Sequence, residues 1–435
     1  MSHPPYRVLR HRDFRLLWIS QLVSQTGSQM QTVALHWHVY LLTRSPLALG
    51  ALGLTRVVPI VLFSLWGGVA ADRLDRRRVM FATQSAMLAG AAALSFLTFT
   101  GHESLAVLYG ANALLAAAAA FDNPARNALV PRLVPLAELP AALSLNLTMF
   151  HAATIGGPAL AGLLIAASAH PSGLAPVLAS GASADTRRLA LIYALNALSF
   201  VGVLLAVLAM RTSGRVADEK GHAAPLTALR EGLRFVLGTP IMVWTTGLDF
   251  FATFFAGSLS LLPVFADQVL GVGPAGYGWL VSAPALGALA GSLYASFRRL
   301  PERQGELLLS SVAFYGFATV VYGLSRWYWL TFLALALSGL ADLISTVIRQ
   351  TLRQMLTPDH LRGRMTSVNM IFFTGGPQLG EVEAGVVASL FASAAVGVTV
   401  AVVSGGLATV LLAAGVAVLA PFVREYVQPA APPPA

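Results

Sequence analysis

The fold class this sequence predicts is an all-α membrane protein, with twelve transmembrane helices in two pseudo-symmetric six-helix bundles. Three observations predict it. Hydrophobic residues make up 56% of the 435 positions and charged residues only 11%, against about 25% charged in soluble domains. Apolar runs of the ~20 residues needed to cross a bilayer recur along the whole chain, with basic residues gathered in the links between them. The second half also repeats the first. Arg126-Asn127-x-Leu129-x-x-x-Leu133-x-Pro135, then Ser144-x-Asn146, recurs as Arg349-Gln350-x-Leu352-x-x-x-Leu356-x-Pro358, then Ser367-x-Asn369, at an offset of 223. Gly156-Gly157-Pro158 and Gly375-Gly376-Pro377 follow at an offset of 219, and Pro59 and Pro284 sit at matching points of the second and eighth spans.

The first six spans are expected at 14–42, 48–71, 79–100, 105–125, 141–168 and 189–210. The second six are expected at 240–269, 277–297, 306–325, 327–348, 366–392 and 397–423. With both termini cytoplasmic, 23 of the 28 Lys and Arg fall in cytoplasmic links or tails. Arg44, Arg187, Arg188 and Arg326 fall outside, and Arg56 lies within a span. Short loops retain positive charge on the cytoplasmic side, so this asymmetry supports both the count and the orientation. The same pattern turns the net charge of +9 into a topology signal rather than a nucleic-acid footprint. The basic stretch 1–13 precedes a run too long and too polar for a signal-peptide core.

The longest polar link, Arg211–Thr239, divides the chain into an N-terminal bundle (1–210), a cytoplasmic linker (211–239) and a C-terminal bundle (240–425). Within the linker Leu226, Leu229, Leu233 and Leu237 recur at helical spacing around Arg230 and Arg234, the pattern of a helix lying along the inner leaflet. The Ala/Pro-rich end, 426–435, is expected to be disordered. Cysteine is absent, which removes disulfides and thiolate metal sites.

Between the second and third spans lies Gly67–Met80, reading GGVAADRLDRRRVM. Gly68-x-x-x-Asp72-Arg73-x-x-Arg76-Arg77 resembles the loop signature of the major facilitator superfamily, G-x-L-x-D-R-x-G-R-[RK], in the branch of enterobactin exporters and drug:proton antiporters. Ala70 stands where Leu is usual and Asp75 where the second Gly is usual; the second departure bears on a tight glycine turn, not on the charge pattern. The resemblance implies two parallel six-helix repeats with the substrate site between them. It also implies that Asp72, Arg73 and Arg76 lock the cytoplasmic side against the start of the eleventh span, near Arg362 and Arg364.

Charges within a bilayer are costly and are functional candidates by default. Those read as deep are Arg56, Asp249, Asp342, Glu381 and Glu383. In the superfamily arrangement the second span lies against the eleventh. Arg56 and Glu383 each fall roughly 12–14 Å below the outer surface at 1.5 Å per residue, so Arg56 is expected to pair with Glu383 or Glu381 as a gate. Residues 381 and 383 point about 200° apart, leaving one acid for the cavity. A carboxyl without a fixed cation binds protons more readily, which makes the second glutamate and Asp249 coupling candidates. Asp249 lies in the aromatic run Phe250, Phe251, Phe254, Phe255; Phe250 and Phe254 are expected to line the cavity. Asp342 is expected to pair with Arg349.

The first span is unusually polar, and such residues must face protein or water. Gln21, Gln25, Ser28 and Thr32 fall on one stripe, assigned with His36 to the cavity wall. His36 and His38, two residues apart, do not face each other, so no metal site is expected there. Gly157-Pro158-x-x-x-Gly162 resembles the antiporter motif of exporting members, G-P-x-x-G-G, with Ala161 at its first closing glycine; these small residues are expected to pack on Gly287 and Gly291 of the eighth span. The fourth span lacks the mid-span Arg that many proton-coupled relatives carry.

These features point to a secondary transporter in a bacterial inner membrane, with both termini cytoplasmic. By resemblance it would export a small amphipathic molecule such as a drug or siderophore, coupled to protons. A lysophospholipid translocator of the same fold is the alternative. No cofactor, metal or nucleic-acid partner is expected, and a monomer is the default. An enzyme or a non-transporting sensor would need a soluble domain that the chain lacks, and there is no nucleotide-binding G-x-x-x-x-G-K-[ST] to drive an ATP pump.

Overall fold

A computed structural model of the chain describes residues 5–167, 184–214, 225–297, 301–358 and 362–427, with the side chains of 5, 65, 184, 225–229, 295–297, 362–364, 366–368, 370 and 371 excepted. The expected disorder of 426–435 falls almost wholly outside them. No strand occurs among the described residues. The first six long helices are α1 (Arg12–Thr43), α2 (Pro46–Arg73), α3 (Arg76–Phe99), α4 (Leu105–Leu133), α5 (Leu139–Ala166) and α6 (Ala184–Ala209). The linker carries α7 (Pro225–Gly238). It is followed by α8 (Pro240–Phe255), α9 (Gly273–Phe297), α10 (Gln304–Leu324), α11 (Tyr328–Leu356), α12 (Arg362–Ser389) and α13 (Ala394–Leu419). Nine helical stretches among the described residues are long and apolar enough to span a bilayer. α1 is not one of them, because its Gln, Ser, Thr and His lower its hydropathy.

Local chemistry sets the helix ends. Ser45 caps α2 by accepting from the Ala48 amide, with Pro46 in the first turn where no donor is needed. Ser104 does the same for α4 through the Val107 amide. Asp75 caps α3, accepting from the amides of Arg77 at 2.9 Å and Arg78 at 3.4 Å. Its backbone is extended, φ −62° and ψ 113°. No left-handed residue is required here, so aspartate replaces glycine without strain and gains two hydrogen bonds.

The chain forms two compact units. The first is Met1–His222 with Gly271–Ser282; the second is Ala223–Leu270 with Ala283–Ala435. In the first, α1 packs on α5 and α6, α2 on α4, and α3 on α4 and α6. Val8, Phe14, Leu17, Met80, Leu129 and Val203 bury together at one end of it. In the second, α10 packs on α11 and α13, and α12 on α7, α8 and α13. Backbones touch at glycines in both: Gly67 lies on the Ala120 carbonyl where α2 crosses α4, and Gly287 lies on the Ala336 carbonyl where α9 crosses α11.

Two expectations are corrected. The seventh span is not one helix over 240–269. α8 stops at Phe255, a turn follows, and helical structure resumes in short pieces from Leu259 to Val269. Pro263 has no amide hydrogen for the Leu259 carbonyl and its ring crowds that oxygen, while Gly257 disfavours helix. Gly287 and Gly291, expected against the small residues of α5, face α11. Gly162 instead lies against Gly278 and the Pro274 carbonyl at the start of α9, and Gly157 lies against Gln29 and the Thr26 carbonyl of α1.

Candidate functional site

Each unit contains a pocket built around an arginine, at positions related by the repeat. In the first unit Gln21 and Gln25 of α1, Arg126 and Asn127 of α4, and Asn146 and Phe150 of α5 line it. α4 continues to Leu133, so Arg126 sits inside the helix rather than in a link. Its side chain is only 16% exposed. Nη1 donates to Gln21 Oε1 at 2.5 Å and Nη2 to Asn123 Oδ1 at 2.6 Å. Nε stands 3.9 Å from Asp122 Oδ2. The other oxygen of buried Asp122 accepts from Thr83 Oγ1 and Gln84 Nε2, both at 3.0 Å. The guanidinium is therefore held by neutral amide oxygens, with its carboxylate set back and shared with α3.

In the second unit Thr246 and Asp249 of α8, Arg349 and Arg353 of α11, and Asn369 and Phe373 of α12 line the pocket. Arg349 Nη2 donates to Asp249 Oδ1 at 2.6 Å and lies 3.9 Å from Asp342 Oδ1. Asp249 thus carries a fixed cation, contrary to the premise that made it a coupling candidate, and Asp342 is the looser of the two partners. The same guanidinium also donates to Ser345 Oγ, and to Thr346 Oγ1 at 2.9 Å; Arg353 donates to Asn369 Oδ1. The pair is nearly dry, with side chains 9% and 13% exposed. Phe250 stacks on Phe254 with centroids 6.3 Å apart and meets Phe372 edge-on at 6.0 Å.

The polar residues of α1 have different partners. Gln21 and Gln25 line the pocket, whereas Thr32 Oγ1 bonds the Ser28 carbonyl and His36 Nδ1 lies 2.8 Å from the Thr32 carbonyl. Gln29 donates to Thr154 of α5, and Gln31 accepts from Asn196 of α6 at 2.7 Å. Among the described residues no cluster of three or more His, Asp or Glu gathers as a metal site.

The loop residues separate into two groups. Asp72 and Arg73 are exposed. Arg76 is tied down within its own unit, Nε to the Ala71 carbonyl and Nη1 to the Ala128 carbonyl. Burial and the neighbouring Arg132 push its pKa below the usual arginine value, with Asp72 opposing. Arg77 holds the end of α6 through the Val207 and Thr212 carbonyls. The Arg364 side chain lies outside the described residues. Arg56 is exposed on α2; on α12, Glu383 Oε2 is buried with no hydrogen-bond partner among the described residues.

Sequence reasoning passed over Asp122, Arg126 and Arg353 as site residues and named Arg349 only as the partner of Asp342. The signal for two of them was present: the repeat itself aligns Arg126 with Arg349 and Asn146 with Asn369, and both pairs line the pockets. Asp122 was one more acid inside an expected span.

Comparison with known proteins identifies the family and the fold. The family profile described as transmembrane secretion effector matches residues 3–429. The multidrug efflux pump Tap of Mycolicibacterium fortuitum is 27% identical over 390 residues, covering 85% of this chain and 88% of Tap. The enterobactin exporter EntS of Shigella boydii serotype 18 is 25% identical over 359 residues, covering 82% and 81%. Among solved structures, a bacterial homologue of the human lysosomal transporter Spinster superposes with a TM-score of 0.71 at 16% identity, covering 98% of this chain and 97% of that one. A bacterial homologue of the iron transporter ferroportin gives 0.66 at 18% identity, with 92% and 98% covered.

Proposed function

The chain belongs to the transmembrane secretion effector family of the major facilitator superfamily, and from that premise we propose that it exports small amphipathic molecules, drugs or siderophores, in exchange for protons by alternating access. It is a multi-pass membrane transporter and not an enzyme. We place it in a bacterial inner membrane as a monomer with both termini cytoplasmic, which is the orientation its basic links favour.

One observation carries the reading: the repeat supplies an arginine pocket to each unit, and the two arginines differ in their counter-charge. Arg126 keeps its charge available beside Gln25, Asn127 and Phe150, a combination suited to an aromatic or apolar molecule with an acidic or carbonyl edge. In the second unit the Asp249–Arg349 pair, with Asp342 at 3.9 Å, can take up a proton only by loosening Arg349. That links proton uptake to rearrangement of α8 against α11. Glu383, with one oxygen unsatisfied among the described residues, is a second site for a proton on α12.

The test is substrate-induced proton release from the purified transporter, compared across wild type, Asp249→Asn, Glu381→Gln and Glu383→Gln. Wild type is expected to release protons when substrate is added, with Asp249→Asn or Glu383→Gln abolishing part of the release. Full release from all three variants would remove proton exchange at these acids.

A further inference from the structure

α7 has two faces of different character. Gly232 and Val236 are buried and Phe235 is partly buried; Phe235 and Val236 pack with Met365 and Phe372 of α12. On the opposite side Arg230, Leu233, Arg234 and Leu237 are all exposed, with Leu233 at 38% and Leu237 at 64%. At 3.6 residues per turn these four fall within an arc of about 100°. Neither arginine makes an ion pair among the described residues. Two leucines and two exposed guanidinium groups on one stripe match a boundary that is apolar on one side and anionic on the other.

We infer that this stripe docks on anionic phospholipid headgroups, with Leu233 and Leu237 entering the acyl boundary and Arg230 and Arg234 meeting the phosphates. Charge complementarity selects this occupant over water, which would leave Leu237 uncovered. It also selects it over a purely apolar partner, which would bury both arginines unpaired. The packed face transmits the docking: Phe372, which α7 helps to bury, is the ring that meets Phe250 edge-on. Anionic lipid therefore fixes the position of α12, the helix that carries Glu381 and Glu383, through α7.

The chain has no cysteine, so Leu237→Cys gives a single nitroxide attachment point in the full-length transporter. In nanodiscs of phosphatidylcholine with 30 mol% phosphatidylglycerol, the label is expected to be more accessible to oxygen than to a water-soluble nickel chelate. Each arginine near an anionic surface favours the bound state by about fivefold. Combining Arg230→Gln and Arg234→Gln should therefore weaken the docked population about 25-fold at low salt, and Arg230→Lys with Arg234→Lys should preserve it. Raising the salt to 1 M, where the Debye length is about 3 Å, should shift wild type toward the double-Gln behaviour. Nickel accessibility in both lipid mixtures would overturn the inference by showing a solvated face. Equal burial in pure phosphatidylcholine would overturn the role of the arginines. Burial in native membranes that disappears in the nanodiscs would assign the stripe to a protein partner instead. The readout does not pass through transport, so it stands or falls separately from the export reading.

Discussion

The two arginine pockets occupy equivalent places in a duplicated sequence, yet they solve opposite electrostatic problems. Arg126 is held by Gln21 and Asn123, and the nearest carboxylate oxygen is 3.9 Å away on Asp122, which is already engaged by Thr83 and Gln84. Arg349 meets Asp249 directly at 2.6 Å. The first arrangement orients a cation and leaves its charge to be felt; the second cancels it. Duplication preserved the frame, and substitution of the neighbours divided the labour. Position 122 shows this most simply. The residue 223 further on is Ser345; Arg349 keeps Asp342 of its own helix at 3.9 Å and gains a direct carboxylate, Asp249, from the facing one.

The largest expected effect comes from removing the cation of the cancelled pair. Arg349→Leu leaves Asp249 buried without a partner and should cost about 3–5 kcal/mol of stability, read as an early thermal transition in detergent. Adding Asp249→Leu should recover most of it; failure to recover would show that the pair does more than neutralise itself. Next is Arg126→Gln. Charged hydrogen bonds of this kind are worth about 1.5–3 kcal/mol, so export of an acidic substrate should fall about 10- to 150-fold while the protein remains folded. Gln21→Glu then sharpens the contrast by giving the first pocket the acid that the second already has. Export of an anionic dye such as carboxyfluorescein should drop about tenfold and that of ethidium should not. Equal loss of both would mean that Arg126 is structural.

Smaller still is Asp122→Asn, which keeps an oxygen for Thr83 and Gln84 and loses only the 3.9 Å attraction. A change of no more than a fewfold in apparent KM is expected, with kcat unchanged. The smallest effect concerns Asp13, where α1 begins. Burial alone would raise its pKa, but the Thr212 hydroxyl and the amides of Thr212 and Arg211 outweigh it and hold the carboxyl below its usual value. The stabilisation is complete above the unfolded pKa of 3.8 and is lost as pH falls through the lower folded value. Melting temperature should therefore decline below about pH 4, and Asp13→Asn should flatten that part of the profile.

Much of the architecture was legible because membrane chemistry writes it in composition: long apolar runs, basic links on one side, and a repeat carried by Arg, Asn and Gly-Gly-Pro. The functional residues were less so, for physical reasons. Intramembrane acids announce themselves, but their partners do not. Asp249 was read beside phenylalanines on its own helix, while its actual counter-charge is 100 residues away on α11. Arg126 and Arg349 were counted as loop charges because the apolar runs before them end early, whereas the helices continue another two turns. The interruption of the seventh span was signalled by Gly257 and Pro263, yet hydropathy alone does not register a break that keeps its residues apolar.

Around that interruption backbones approach each other closely. Gly257 lies on Gly380, Gly380 on the Phe254 carbonyl, and Gly405 on the Phe255 carbonyl. Not even a methyl group fits along this line, so mutational drift there is closed off. Room for change lies in the neighbouring rings of Phe250, Phe254 and Phe372. A deep mutational scan would trace an intolerant thread of glycines bordered by freely exchanging aromatics, the imprint of a seam too close for any side chain.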